Sequence, residues 1–352
     1  MEDSQILIVG GGLAGWRAAE AAVKDGASVT LVANGAGNSP HIHALNCPVL
    51  PEDSVRQFVE DTLAGGRYGN DPVLVETMCR ESLSLKEEFD FDGTLIRPLG
   101  CSVPRCVSIR HAIGPVAIAG IKERLKDQVR VESRTVTPEE LVALRSARPE
   151  MPIIIATGGW CGKYGFSTNP GYMKGDGLRM AEALGAATKD VDEAHVQYEP
   201  TVRVEGPRRG IPVITTLLYE GARMLRMDGR DLLPDTRVNK DALSRAIFNA
   251  GGYAWYDLTD VPDEKLLECK MDLSERMIKV APAPHSSLGG IVIDPSCHAL
   301  DQDGNVVPGL FACGEVTAGV HGYNRLGGNG GTAAMVFGAI AGRQAASERG
   351  RI

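Results

Sequence analysis

Aromatic residues are scarce, at 5% of the chain, and no run of apolar side chains approaches the ~20 that a bilayer-spanning helix requires. Direct membrane insertion is therefore not expected. Basic charge is not in excess either. The 37 Lys and Arg face 45 Asp and Glu, a balance of -8 that excludes nucleic acid as the main partner. A secretory leader would need a basic start and a longer apolar stretch. Met1-Glu2-Asp3-Ser4 is acidic and leads straight into an apolar strand, so the cytoplasm is the expected compartment. The cysteines at 47, 79, 101, 106, 161, 269, 297 and 313 form no C-x-x-C pair, which leaves no legible zinc or iron–sulfur site. Cys101 and Cys106 come nearest to a cluster and read as ordinary buried or loop thiols. Internal repeats and low-complexity linkers are missing as well.

What the chain has in quantity is glycine, 42 of 352 residues, beside a 43% hydrophobic content that is ample for a large core. Such a composition suits tight turns and close backbone approach to a ligand. The first unit shows where. Ile6 to Val9 is a short apolar run, Gly10-Gly11-Gly12-Leu13-Ala14-Gly15 a turn, Trp16 to Lys24 a helix and Ala27 to Val32 a second strand. This is a dinucleotide-binding strand–turn–helix–strand unit whose helix N-terminus faces a pyrophosphate. The acid that often holds the adenosine ribose after the second strand is missing, since Ala33-Asn34 stands there.

Further along, residues 53–90 predict two helices, with Val55, Phe58, Val59 and Leu63 on one apolar face and a second face from Val73 to Phe89. Leu125 to Val136 holds a strand. Ile153 to Gly159 reads as a buried strand ending in a turn. From about Glu199 to Ala281 turns, short helices and strands replace the Gly-rich pattern. That pattern returns with strands at Ile291–Ile293 and Leu310–Ala312 and a helix from Gly330 to Ala345. We expect an α/β fold: a Rossmann-like domain of residues 1–198 and 282–352, interrupted by a smaller α+β capping domain of residues 199–281.

Cys313-Gly314-Glu315-Val316 and His321-Gly322-Tyr323-Asn324-Arg325-Leu326-Gly327-Gly328-Asn329 form the most distinctive stretch. With Thr168-Asn169-Pro170, Gly175-Asp176-Gly177 and His285 to Gly290, it resembles the flavoprotein family of fumarate reductases, succinate dehydrogenases and L-aspartate oxidases. Asp53-Ser54 to Asp61-Thr62-Leu63 also resembles the early helix of aspartate oxidases. The resemblance covers most of the chain and implies FAD as cofactor. It puts Gly10, Gly12, Leu13, Ala14, Gly15, Asn34, Ser39, Ala44, Thr157 and Gly158 at FAD. Asp176 and Glu315 would hydrogen-bond it, Glu315 at a ribose hydroxyl, and Arg325, Asn329, Gly330 and Gly331 would approach it near the last helix.

The implied reaction exchanges a hydride between flavin N5 and a carbon of a small (di)carboxylate, as between fumarate and succinate. Arg325 is the expected carboxylate clamp, His285 its hydrogen-bonding neighbour and Ser287 a hydroxyl beside it. The segment from Lys240 to Ile247 resembles the helix that bears the family's acid-catalytic arginine, assigned here to Arg245. Three departures are legible. Gln197-Tyr198-Glu199-Pro200-Thr201 puts Glu199 in place of a substrate-contacting histidine. Thr215 and Leu218 stand where the family has its proton-relay Glu and Arg, and only Glu220 keeps its place. Pro98-Leu99-Gly100-Cys101 lacks the Glu that suits a substrate amine, which disfavours aspartate oxidation. Ser39-Pro40-His41 puts a proline where relatives carry a covalently linked histidine. Non-covalent FAD is expected, with His41 or His43 as the alternatives for a link. Without a haem or iron–sulfur motif, electrons are expected to pass through a separate redox subunit, iron–sulfur or similar. The competing reading is a flavin-carrying electron-transfer subunit with a vestigial pocket.

Overall fold

The computed structural model describes residues 5–88, 91, 95–109 and 113–351. Phe89, where the second early helix was expected to end, lies outside the described residues. At the centre is a six-stranded sheet in the order His298–Leu300, Val306–Ala312, Ile153–Ile155, Ile6–Val9, Val29–Val32, Val129–Glu132. All its pairings are parallel except the edge pair of His298–Leu300 with Val306–Ala312. Ile6, Ile8 and Ile153 to Ile155 are completely buried, as expected for central parallel strands covered on both faces. Register is set at the middle, where Val9 lies opposite both Val32 and Ile155, so three strand ends finish together beside Gly10.

Two helices pack across this sheet. Leu13–Lys24 begins directly after the glycine turn, and Asn329–Glu348 closes the described chain. They lie backbone against backbone. A Cβ on Gly342 would fall 2.2 Å from the carbonyl oxygen of Ala18, so no larger residue fits there without moving one helix. The early helices are Val55–Gly65 and Pro72–Glu81, the first N-capped by Ser54, whose Oγ accepts from the Gln57 amide at 3.1 Å. The strand expected over residues 125–136 is only Val129–Glu132, because Leu125 ends a helix that begins at Ile113. Helix Asp176–Ala183 and a small sheet of Ala44–Asn46, Cys106–Ser108 and Leu95–Ile96 carry no clear sequence signal, each being short.

Arg105 anchors that small sheet. Its guanidinium is fully buried, donates to both Asp53 oxygens at 3.0 and 3.1 Å, pairs with Asp61 at 2.9 Å and stacks 4.9 Å above the Phe58 ring. The aspartates that resembled an aspartate oxidase helix thus hold the strand beginning at Cys106.

The cap is a four-stranded antiparallel sheet, ordered Arg223–Leu225, Ala254–Asp257, Met277–Ser287, Val196–Arg203, with helix Lys240–Asn249 against it. It has its own apolar cluster, including Leu217, Leu218, Leu243, Ile247 and the fully buried Tyr256. Val196–Arg203 and Met277–Ser287 run unbroken through the expected boundaries at 198/199 and 281/282, bent by register shifts at Ala281/Ala283 and Pro284/Ser286. The cap is therefore an outgrowth of two long strands, continuous with the domain below.

His298 ties the sheet edge to the closing helix through Asp294 and Glu348, each at 2.8 Å. The Asp294 hydrogen bond, aided by Glu348, raises its pKa to about 9 against the opposing pull of burial. Because the folded-state value is raised, this contribution to stability is complete below the unfolded pKa near 6.5 and is lost as pH rises through about 9. The melting temperature should fall between those pH values, and His298→Gln should flatten that part of the profile. An unchanged slope would remove His298 as its cause.

Candidate active site

One cavity of about 460 Å³ lies where the ends of the central strands, the first helix and the cap meet. Its size is within the range of small-molecule and cofactor sites. On one side are Gly10, Gly12, Leu13 and Ala14, followed by Asn34, Ser39 and Ala44. Gly10 has φ of +124°, and a Cβ on it would lie 2.2 Å from the Ala156 carbonyl oxygen, so only glycine lets the turn pass this close to the neighbouring strand. Ser39 Oγ accepts from the Leu13 amide at 2.8 Å and so pins the loop over the helix N-terminus. Thr157 and Gly158 follow the third strand to the same wall, where Asp176 opens a helix and pairs with Arg179. Glu315, Gly330 and Gly331 complete this part.

Two of the expected cofactor residues lie elsewhere. Gly15 does not line the cavity; it is buried in the first helix, where a Cβ would meet Gly10 oxygen at 1.9 Å. Asn329 is also away from the cavity wall, accepting from Asn46 at 2.6 Å and donating to Thr62 at 3.1 Å. Both shape the backbone that the cavity needs.

The polar chemistry of the wall suits FAD. Glu315 faces the cavity and accepts from the Ser287 amide at 3.1 Å and its hydroxyl at 3.3 Å, and burial raises its pKa. Thr157 Oγ1 and Asn38 Oδ1 are shielded from solvent and have no hydrogen-bond partner within the protein. A ligand rich in hydroxyls, phosphates and ring nitrogens satisfies such groups, and the helix N-terminus favours its pyrophosphate.

The cap closes the other end. Residues 210–216 form a strap along its wall, held where Thr201 Oγ1 donates to Val213 oxygen at 2.6 Å and Tyr256 donates to Ile214 oxygen at 3.0 Å. Thr215 faces the cavity, as do Glu199, His285, Ser287 and Arg325. His285 Nδ1 is 2.8 Å from Thr168 Oγ1, and its Nε2 is 4.0 Å from Glu199. Burial, then the nearby Lys240 and Arg325 charges, holds its pKa well below the usual value, so it is neutral at pH 7. His321, also on the wall, is lowered to about 3, mainly by burial. Arg325 has an Nε without a hydrogen-bond acceptor.

Arg245 is not in this group. Its side chain is 57% exposed and pairs with Asp241 on the outer face of the cap helix. The cation that enters the cavity from this helix is Lys240, which forms an ion pair with Glu199. Helical phase explains the difference. Leu243, Ser244 and Ile247 are buried, and Arg245 lies about 200° around the axis from Leu243. Lys240, four residues before Ser244, shares the inward face. The amphipathic pattern carried that signal, whereas the resemblance to the family segment pointed to Arg245, which lies off the cavity wall. Leu218 belongs to the cap core and Glu220 is exposed, so neither reaches the cavity. Of the strap only Thr215 was singled out in the sequence, and Lys174, also on the wall, was not, because a loop carries no periodicity.

Outside the cavity, Asp241 reaches from the cap helix to Arg67 of the lower domain at 3.1 Å. Arg67 lies 5.4 Å over the Tyr323 ring, which stacks on His195 at 4.7 Å. Arg67 and Tyr68 both have positive φ, 55° and 54°, an uncommon pair for side-chain-bearing residues. All eight cysteines are free; burial pushes the Cys101 thiol up to about 12 and Cys106 higher still, so neither is a reactive thiolate near neutrality. Among the described residues no helix is long and apolar enough to cross a membrane.

Replacing Glu315 by Gln should keep the fold and weaken FAD binding by roughly 10- to 100-fold, the scale of one hydrogen bond to a charged group. Titration of the apoprotein with FAD, followed by flavin fluorescence, reads this directly. Unchanged affinity would take Glu315 out of the cofactor site.

A family profile described as "FAD binding domain" matches residues 5–105 and 121–330. A probable fumarate reductase of Shewanella frigidimarina is 28% identical over 98% of this chain and 75% of its own length. That alignment runs over 456 positions, more than this chain has residues, so the relative carries insertions that this chain omits. A fumarate reductase (CoM/CoB) subunit of Methanothermobacter marburgensis is 29% identical over 98% of this chain and 72% of its own. Among solved structures, the open conformation of a flavocytochrome c3 fumarate reductase superposes with a TM-score of 0.75 at 27% identity, covering 98% of this chain and 78% of that one. The chain belongs to the FAD-binding domain family and is an FAD-dependent oxidoreductase of the fumarate reductase and succinate dehydrogenase flavoprotein group.

Proposed function

We propose that the protein moves a hydride between flavin N5 and one carbon of a small carboxylated substrate, while a protein side chain exchanges a proton at the adjacent carbon. The observation that carries this reading is the convergence of Lys240, His285 and Arg325, from both parts of the fold, on the cavity that begins at the Gly10 turn. Bound FAD supplies the two-electron chemistry. Arg325 takes the substrate carboxylate, where its free Nε supports two parallel hydrogen bonds. Neutral His285, oriented by Thr168, adds a hydrogen bond without adding charge. Thr215 supplies a hydroxyl from the strap.

In the reducing direction the C=C bond becomes a C–C bond. One carbon receives the hydride, and the carbon beside the carboxylate receives a proton from the Lys240 ammonium. The resulting amine regains its proton from water, since the Lys240 side chain remains 16% exposed. Dehydrogenation is the same path reversed. By reference values an ammonium is a better acid than a guanidinium, so this role suits lysine chemistry.

We also propose that electrons reach or leave the flavin through a separate iron–sulfur or similar protein, in the cytoplasm. Among the described residues no group of three or more His, Cys, Asp or Glu could hold a metal ion, and the Methanothermobacter relative is named as one subunit of its enzyme. FAD is held non-covalently, since Pro40 offers no nucleophile at the expected attachment point. Acid precipitation should leave FAD in solution; flavin retained in the pellet would assign a link to His41 or His43.

Stopped-flow reoxidation of the reduced protein by fumarate or monomethyl fumarate tests the chemistry. Lys240→Met should slow it by about 10²- to 10⁴-fold, the scale of general acid catalysis. Arg245→Gln should change it by less than about threefold, as for an exposed ion pair. The opposite ranking would return the proton to Arg245. If neither acid reoxidised the wild-type protein, the electron-transfer-subunit reading would replace this one.

A further inference from the structure

We infer that the substrate carries one carboxylate and an uncharged far end, and that Glu199 enforces this choice. The inference rests on the proposed hydride-transfer reading and narrows its substrate class. Charge counting at the substrate end of the cavity carries it. Four cations line the cavity: Lys174, next to Met173 at Gly37, and Arg134, two residues after the Glu132 that pairs with Ala33, lie toward the dinucleotide loop, which leaves Lys240 and Arg325 among the described residues for the substrate end, with His285 there neutral. Glu199 stands opposite Lys240 and pairs with it, its side chain only 5% exposed. The Lys240 ammonium is what holds Glu199 in place, since the Thr201 hydroxyl proton is given to Val213 oxygen at 2.6 Å and His285 Nε2 is 4.0 Å away. Lys240 is therefore already neutralised. Of the two, Arg325 is left to meet a substrate anion, and it already feels the charges of Glu315 and Glu199. His41 and His43 also line the cavity, and the His41 pKa is lowered by burial, so that ring adds no positive charge at neutral pH.

A dicarboxylate would need a second cation. Taking Lys240 for that purpose would strand Glu199 unpaired in the cap wall, a costly outcome for an enclosed carboxylate. The geometry also provides something for an uncharged end to touch. Leu99, Ile211, Pro212, Val213 and Ile214 face the same cavity and form an apolar rim. The matching ligand is an α,β-unsaturated monocarboxylic acid, or its saturated counterpart, with an ester, amide or hydrocarbon group at the far end. Its carboxylate lies on Arg325, and its reacting carbon lies near Lys240. In this arrangement Glu199 keeps the ammonium within reach and excludes a second anion. The reaction balances as before: FAD, bound and reduced, would supply the hydride, Lys240 gives the proton, and the C=C bond becomes a C–C bond.

Fumarate and its monomethyl ester share one activated double bond and differ by a single charge. FAD-loaded protein, reduced without oxygen, should be reoxidised by monomethyl fumarate at least about tenfold faster than by fumarate at equal concentration, a difference of about 1.4 kcal/mol in barrier. Glu199→Gln frees Lys240 and should move that ratio toward fumarate by a similar factor. As a measurement that needs no variant, perturbation of the oxidised flavin spectrum should show tighter binding of monomethyl succinate than of succinate. Fumarate reacting as fast as the ester in the wild-type protein would overturn the inference and leave the hydride-transfer reading intact. An unchanged ratio in a folded, FAD-loaded Glu199→Gln protein would overturn the role of Glu199. Failure of both acids would remove the reductase reading itself, and this inference with it.

Discussion

Everything at the active site depends on how closely three pieces of backbone approach one another. The first helix lies against the closing helix at Gly342, and the turn before it passes the end of the third strand at Gly10. Side chains larger than hydrogen at these points would push the helix N-terminus away from the strand ends. The cavity exists because it is bounded by peptide groups, and peptide groups offer N–H donors and a positive dipole end to a phosphate. The apolar central strands keep that arrangement rigid, since a slip in register would have to move Ile8, Ile154 and Phe311 out of a fully buried layer.

On this rigid base sits the cap end of the cavity, built from two long strands that leave the lower domain and return. Val196–Arg203 carries Glu199, and Met277–Ser287 carries His285 and Ser287. Because the strands pair directly, their bulges decide which side chains turn into the cavity. Cap and cofactor domain thus share a backbone, and the pocket is made at their join. Its electrostatics follow from enclosure: histidines lose their charge, Glu315 holds its proton more tightly, and ion pairs are kept where both partners are shielded.

Much of this was legible in the sequence. The first strand, glycine turn and helix follow from a pattern in which hydrophobic period, turn chemistry and helix start agree. The insertion of a cap followed from a change in that pattern near Glu199, although the strands themselves cross the point of change. The place of a residue on the cavity wall was legible where a local sequence motif marks it, as with Glu315 or Arg325. It was illegible where the role depends on tertiary contact. Arg105 is held by Asp53 and Asp61, some fifty and forty positions away, and nothing local marks it as a buried cation. That Lys240 and not Arg245 faces the cavity follows from helical phase, which the apolar positions Leu243 and Ile247 mark in the sequence.

The tie between Asp241 and Arg67 has a mechanical consequence. Asp241 is the next residue to Lys240, on a helix whose first turn is fixed by the Asn239 cap, its Oδ1 accepting from the Ala242 amide at 2.9 Å. The lower domain therefore grips the cap one residue from the ammonium that lines the cavity. Lys240 and Asp241 are adjacent on one helix turn, so a displacement of this helix from the lower domain would break the Arg67 pair and shift Lys240 together. The position of Lys240 in the cavity wall is thus coupled by leverage to a contact that lies outside the cavity.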